Sequence, residues 1–300
     1  MKILVVGNIT IDRSYKVQHL PQPGETIIAE DSLTNIGGKG VNQAIMAARS
    51  GMSVKFISAV GKETDNNFIL SYLDKVDRLD HDLFEKYGNS DESIINISKT
   101  GENTIVSTNN CARSIQAQEV EEYITNLETD DILLLQGNLS EETTHYCIQQ
   151  AHSQNAEIVI NLAPVEFDCK EVWPKIDYLV INEAESQILS GKDEPAEAAK
   201  FLINSSVKNV IVTLGPKGAL LAKRDGGVTK ISAADVEVKD TTGAGDAFTG
   251  VFVAGLSQRL DAKTACKWAS QVAGLCVSKT GTSSALPSPG EITDIYKKTV

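Results

Sequence analysis

Basic residues are in short supply. The 300-residue chain carries 28 Lys and Arg against 40 Asp and Glu, a formal net charge of −12, so it lacks the broad cationic surface that a nucleic acid or an anionic membrane requires. Any phosphate it handles must be met locally, by backbone N–H groups, a few lysines and a metal ion. Paired cysteines are missing too. Cys111, Cys147, Cys169, Cys266 and Cys276 are odd in number, widely spaced and without a C-x-x-C pair, which predicts reduced thiols and a cytoplasmic setting. The histidines, His19, His81, His145 and His152, share no ligand spacing with Cys, Asp or Glu, which argues against zinc or a catalytic imidazole. No apolar run approaches bilayer-spanning length, and the stretch 1–7 is too short for a signal peptide and reads as a strand. Three catalytic signatures are also absent. Without G-x-x-x-x-G-K-[ST] the chain is not a P-loop kinase, without G-x-G-x-x-G after the first strand a dinucleotide oxidoreductase is disfavoured, and no Ser/His/Asp set of motifs occurs.

A hydrophobic content of 41% over 300 residues is enough for one large α/β domain. Apolar, β-rich runs at 3–6, 54–60, 132–135, 158–162, 178–181 and 210–214 alternate with helical stretches. Because these runs are continuous, they predict strands covered on both faces, in a mainly parallel sheet between two helical layers. Ligands of such sheets bind beyond the carboxyl ends of the strands. Two stretches, about 12–37 and 93–110, break the pattern with polar, alternating segments and a turn around Gly101. They predict a small antiparallel sheet inserted into the main domain. With no repeat and no long linker, a single catalytic domain over 1–300 is expected.

The segment with the most chemistry is Asp240-Thr241-Thr242-Gly243-Ala244-Gly245-Asp246, followed by small apolar helix formers to Leu256. The pattern places Gly243 to Gly245 at a helix N-terminus, where unpaired N–H groups and the peptide dipoles favour an anion. Asp246 would be repelled by that anion and so needs a task. General base fits, with the carboxylate taking a proton from an attacking hydroxyl while Gly243, Ala244 and Gly245 hold charge on the transferred group. The same residues also describe a plain capping Asp after a Gly-rich turn. A second segment, Thr34-Asn35-Ile36-Gly37-Gly38-Lys39-Gly40-Val41-Asn42, leads into a helix at about 41–50. There Asn42 offers a donor and an acceptor suited to a sugar hydroxyl.

These two segments resemble the signatures of the ribokinase-like, or PfkB, carbohydrate kinase family. The resemblance covers nearly the whole chain, with the motifs in family order. It implies a three-layer sandwich with a mainly parallel central sheet flanked by helices, plus a small β-sheet lid formed by about 12–37 and 93–110. It implies an ATP- and Mg²⁺-dependent phosphotransferase acting on the primary hydroxyl of a small sugar, D-ribose first. A ketohexose, deoxyribose, a sugar acid or a nucleoside are the other acceptors, and a silent sugar- or nucleotide-binding regulator is the reading outside catalysis. Gly38, Lys39 and Asn42 then face the sugar with Asp12, whose carboxylate accepts from ring hydroxyls. Asn138 stands where the family has a glutamate, and Thr10 where it has an asparagine, and both departures bear on which sugar fits. Asn182 and Glu185 match an Asn-x-x-Glu element tied to Mg²⁺ and phosphate, although a helix cap has the same pattern. Thr213, Gly215 and Gly218 resemble the nucleotide-side loop, joined there by Gly245. Asp240, Thr242 and Gly281 match ligands of a monovalent cation such as K⁺, while Ala285 stands at a serine ligand position with Ser283 and Ser284 nearby. A homodimer through the lids is the implied assembly, because an exposed small sheet leaves strand edges unpaired.

Overall fold

The computed structural model describes residues 1–100, 102–167, 169–279, 281, 283 and 285–299. Gly101 and Ser284 lie outside the described residues.

The strands are β1 (Ile3–Val6), β2 (Thr10–Val17), β3 (Asp31–Gly37), β4 (Val54–Gly61), β5 (Leu79–Lys86), β6 (Glu92–Ser98), β7 (Asn103–Ser107), β8 (Ile132–Gln136), β9 (Glu157–Asn161), β10 (Tyr178–Asn182), β11 (Asn209–Thr213), β12 (Ala219–Lys223) and β13 (Val228–Ile231). The helices are α1 (Lys39–Arg49), α2 (Asn67–Leu73), α3 (Asn110–Arg113), α4 (Ala117–Thr125), α5 (Glu141–Ser153), α6 (Glu183–Ser190), α7 (Pro195–Asn204), α8 (Ala244–Ser257), α9 (Ala262–Val277) and α10 (Pro289–Thr299). Nine strands form one sheet in the order β13-β12-β11-β10-β9-β8-β1-β4-β5. Every neighbouring pair from β11 to β5 is parallel, and β12 alone is reversed, pairing antiparallel with β11 on one side and β13 on the other.

Alternation along β1 explains the layers, since successive side chains of a strand point to opposite faces. Ile3 and Val5 pack with α1, α8 and α9, whereas Leu4 and Val6 pack with α4 and α5. Both faces are therefore dry, as continuous apolar strands require, and this is the three-layer α/β sandwich that the sequence predicts. Strands β5, β12 and β13 fall outside the apolar runs taken as strands from the sequence. β5 is an edge strand of sequence LDHDLFEK, and one solvated side suits its charges. β12 and β13 are short and form a hairpin at the other edge.

A second sheet has the order β3-β2-β6-β7. Its outer pairs are antiparallel, as the alternating segments predict, but β2 and β6 are parallel. The reason is topological: β2 continues from β1 and β6 from β5, two strands that run in the same direction. The buried Asp91 carboxylate fastens this sheet to the body, accepting from the N–H groups of Asn110, Cys111 and Ala112 at 2.6, 3.0 and 3.1 Å.

Among the described residues no helix is long and apolar enough to cross a membrane. All five cysteines are buried.

Candidate active site

The site is assembled at the carboxyl ends of the parallel strands by the approach of two helices. α8, fourteen residues of mostly small apolar side chains, is buried from Asp246 to Leu256. Gly250 lets it press on α1, because a Cβ there would lie 2.5 Å from the Gln43 carbonyl oxygen and 2.7 Å from Met46 Cβ. That closeness brings the first turn of α8 to the first turns of α1. Asp246 Oδ2 accepts from Asn42 Nδ2 at 3.1 Å, and Asp246 Oδ1 accepts from Gln43 Nε2 at 3.0 Å. The carboxylate is 7% exposed, so it is buried but hydrogen-bonded on both oxygens, as a buried charge must be.

α8 starts where the sequence places a helix N-terminus. Gly243 is the N-cap with φ +78°, a left-handed conformation. No atom lies within 4 Å of the position a Cβ would take at Gly245, so the first helical turn faces open space. Just upstream, the Asp240 carboxylate ties two segments together, accepting from Thr242 N–H at 2.9 Å and from Gly281 N–H at 3.0 Å. The three residues predicted as cation ligands are thus gathered in one place. Behind them, Cys276 Sγ contacts the Thr242 carbonyl at 3.8 Å. Burial first, and Asp246 next, push the Cys276 thiol up to about 12, so it stays neutral.

Asp12 sits on β2 beside the turn into α1. Its Oδ1 accepts from the Thr10 hydroxyl at 2.7 Å, and its carboxylate lies against Gly37, where a Cβ would come within 2.0 Å of Oδ2. Gly38 takes φ +106°, and a Cβ there would lie 2.9 Å from the Asn8 carbonyl oxygen. Only glycine meets both demands. Asn8 itself anchors α1, its Oδ1 accepting from Gly40 N–H at 3.1 Å. Thr10, one of the two departures, and Asn8 therefore have local duties, one steadying Asp12 and the other holding the helix start.

Asn182 and Glu185 form a reciprocal capping box on α6, with Asn182 N–H donating to Glu185 Oε2 and Glu185 N–H donating to Asn182 Oδ1, both at 2.8 Å. The cap in this motif is real. Glu185 nevertheless belongs to the same electrostatic neighbourhood as Asp246 and Lys39. Burial raises its carboxyl above the ordinary value, Asp246 raises it further, and the Asn182 N–H and Lys39 oppose the shift.

Asn138 and the loop at 213–218 stand apart from this hydrogen-bonded set among the described residues. Asn138 accepts at its backbone oxygen from Asn109 Nδ2 at 2.9 Å, while the buried Oδ1 atoms of Asn138, Asn109 and Asn42 find no partner among the described residues. Buried acceptors without a donor are costly, and hydroxyl donors of a ligand would satisfy them. Thr213 closes β11, its hydroxyl 3.4 Å from the Ile181 carbonyl. Gly215 has open space around it, whereas Gly218 is packed tightly against β13.

Sequence reading missed Gln43, Gln136, Asn161 and Asn109. For the first three a signal existed: each is an amide among the buried positions of a helix or at the carboxyl end of an apolar strand, where an unpaired amide would be expensive. Asn109 gave none.

Comparison with known proteins agrees with this geometry. Residues 1–289 match the pfkB family carbohydrate kinase profile. The ribokinase of Haemophilus influenzae is 29% identical over 299 residues, covering 96% of each chain. The deoxyribokinase of Salmonella typhi is 30% identical over 305 residues, again with 96% of each chain covered. The crystal structure of ribokinase from Thermotoga maritima superposes with a TM-score of 0.90 at 29% identity, over 98% of this chain and 99% of that one. This chain belongs to the pfkB family of carbohydrate kinases, phosphotransferases with an alcohol group as acceptor.

Proposed function

We propose that this sugar kinase transfers the γ-phosphoryl of ATP to the primary hydroxyl of D-ribose, giving ribose 5-phosphate, in the cytoplasm. The observation that carries the reading is one buried carboxylate, Asp246, held on both oxygens in the first turn of a helix that opens to free space at Gly245. In that geometry Asp246 takes the proton of the sugar hydroxyl as the new O–P bond forms. The N–H groups of Gly243, Ala244 and Gly245 hold the charge that spreads over the transferred phosphoryl oxygens. Asp12, Gly38, Lys39, Asn42 and Asn138 bind the sugar. Asn182, Thr213, Gly215, Gly218 and Gly245 form the nucleotide side, with Gly218 acting by shaping the loop. The four-stranded sheet serves as a lid that keeps water from competing as acceptor. Its strand β7 is exposed along its whole length, which supports pairing of two lids in a homodimer.

Among the described residues no group of three or more His, Cys, Asp or Glu side chains could hold a metal ion. Mg²⁺ would arrive on the nucleotide phosphates, and Glu185 is the carboxylate that would help to hold it. When bound, Mg²⁺ neutralises charge on the β- and γ-phosphates. Asp240, Thr242 and Gly281 fit a monovalent cation such as K⁺ beside the helix start, and the convergence of both segments on the Asp240 carboxylate supports that role. Glu185→Gln tests the Mg²⁺ role, because glutamine also completes a capping box. Its Tm should stay near wild type while the Mg²⁺ concentration for half-maximal rate rises roughly 10-fold, the usual loss when a metal partner is removed. An unchanged Mg²⁺ requirement would leave Glu185 as a cap alone.

A second acceptor reading rests on a specific feature. Asn138 and Asn109 carry buried neutral amide oxygens without a partner among the described residues, where a carboxylate would bind a hydroxyl more strongly, and one relative at 30% identity is a deoxyribokinase. ADP release from MgATP in K⁺ buffer, with D-ribose, 2-deoxy-D-ribose, a ketohexose, a sugar acid and a nucleoside against a sugar-free blank, decides between them. Turnover strongest with ribose is the expected result. Turnover with another acceptor alone moves the assignment to that sugar, and none with any leaves a silent binder.

A further inference from the structure

Behind Asp246 lies a run of buried amides for which the transfer mechanism has given no use. Gln43, next to Asn42 in α1, is fully buried. Its Nε2 donates to Asp246 Oδ1 at 3.0 Å and to Asn161 Oδ1 at 2.8 Å, and its Oε1 accepts from Gln136 Nε2 at 2.9 Å. Asn161 donates in turn to the Val180 carbonyl at 2.9 Å. The ends of β8 and β9, together with β10 and α1, thus converge on one carboxylate.

Both N–H groups of Gln43 are used and its oxygen is occupied, so its amide can adopt only one orientation. Hydrogen bonds linked in this way polarise one another, and here the Gln136-to-Gln43 chain ends by donating to a charge. The arrangement also leaves Gln136 Oε1 buried without a partner among the described residues. A cost of that kind, set beside the reacting group, points to a site requirement rather than to folding.

We propose that Gln43 is a positioning residue: its amide, locked by Gln136 and Asn161, holds the Asp246 carboxylate turned toward the acceptor hydroxyl. The proposal rests on Asp246 being the general base. A donor to a carboxylate favours its charged form, so losing the donor moves protonation to higher pH. Around Asp246 stand Lys39 on α1, Glu185 on α6 and Cys276 on α9, with Asp240 and Lys279 beside Cys276, while β8, of sequence ILLLQ, brings no ionisable group.

The test compares Gln43→Met and Gln43→Glu with wild type, measuring kcat and KM with MgATP and D-ribose, or the panel sugar that turns over, from acid to neutral pH. For Gln43→Met, kcat should fall about 10-fold or more, toward the loss of a misplaced base. Both KM values should stay within about 3-fold, and the acid limb of kcat should move to higher pH. Gln43→Glu donates only while its own carboxyl is protonated, so its kcat should fall as pH rises, the reverse of wild type. Should Gln43→Met not fold, Gln136→Met, which frees the Gln43 amide, should show the same upward displacement of the limb. The proposal is overturned if the limb does not move, if KM rises while kcat holds, or if Gln43→Glu follows the wild-type profile. A limb abolished by Glu185→Gln would belong to Glu185 and would overturn it as well. Asp246→Asn separates the two layers. Retained kcat there removes the base assignment and Gln43 with it, whereas lost kcat beside wild-type behaviour of the Gln43 variants removes only the positioning role.

Discussion

Asp246→Asn is expected to lower kcat by about 100-fold or more, the usual worth of a positioned general base. Asparagine keeps the shape of the side chain but cannot take a proton. The same change removes a negative charge from beside the proposed phosphate site, so KM for ATP should hold or fall rather than rise. Some stability is lost. Asn42 and Gln43 both donate to Asp246, and the new amide can accept from only one of them. A buried donor left unpaired costs about 1–3 kcal/mol, which for a protein of this size is a Tm decrease of several degrees. Steady-state kinetics and a thermal melt check both parts. A variant that folds and keeps near-normal kcat would show that Asp246 is not the base.

Gly218→Ala should act on the fold instead. Gly218 has φ +92°, and a Cβ there would lie 1.9 Å from the Ile231 carbonyl oxygen and 2.8 Å from Ala233 N, both backbone atoms. The conformation alone costs a side chain on the order of 1–3 kcal/mol. Forced overlap with main chain that cannot swing aside adds a similar amount, so a loss of about 3 kcal/mol and a Tm lowered by roughly 6–12 °C are expected. Well below the transition, KM for ATP should change by less than about 3-fold. Gly215→Ala is the contrast. Its φ of +54° is unfavourable but nothing lies within 4 Å of a Cβ, so about 1–2 kcal/mol is the expected loss. If Gly218→Ala raised KM for ATP at an unchanged Tm, the tight packing would not be what makes glycine necessary there.

The two glycines of that loop mark where sequence reading stops. A motif states that glycine stands at 215 and 218, not whether the bare backbone serves a ligand or a neighbouring strand, and β13 meets Gly218 only after the edge hairpin has folded. The Asn182–Glu185 element is similar. Both the cap and the placement near Asp246 are true of it, but the cap is local and legible, while the approach of Asp246 from 61 residues farther along the chain is not.

What the sequence determined by itself is what short-range chemistry determines. Continuous apolar runs require strands covered on both faces, so the layered parallel sheet followed from composition and spacing. Gly243 to Asp246 describe a helix start with an anion site and an acid within one turn, so the candidate base could be named without coordinates. Tertiary structure alone decided which groups hold that base. Asn42 and Gln43 are 204 and 203 residues away from Asp246, and they reach it because Gly250 lets two helices touch. The parallel pairing of β2 with β6 likewise came from the direction of the strands that feed them. Contacts of that range depend on how layers pack, and no local pattern of residues encodes them.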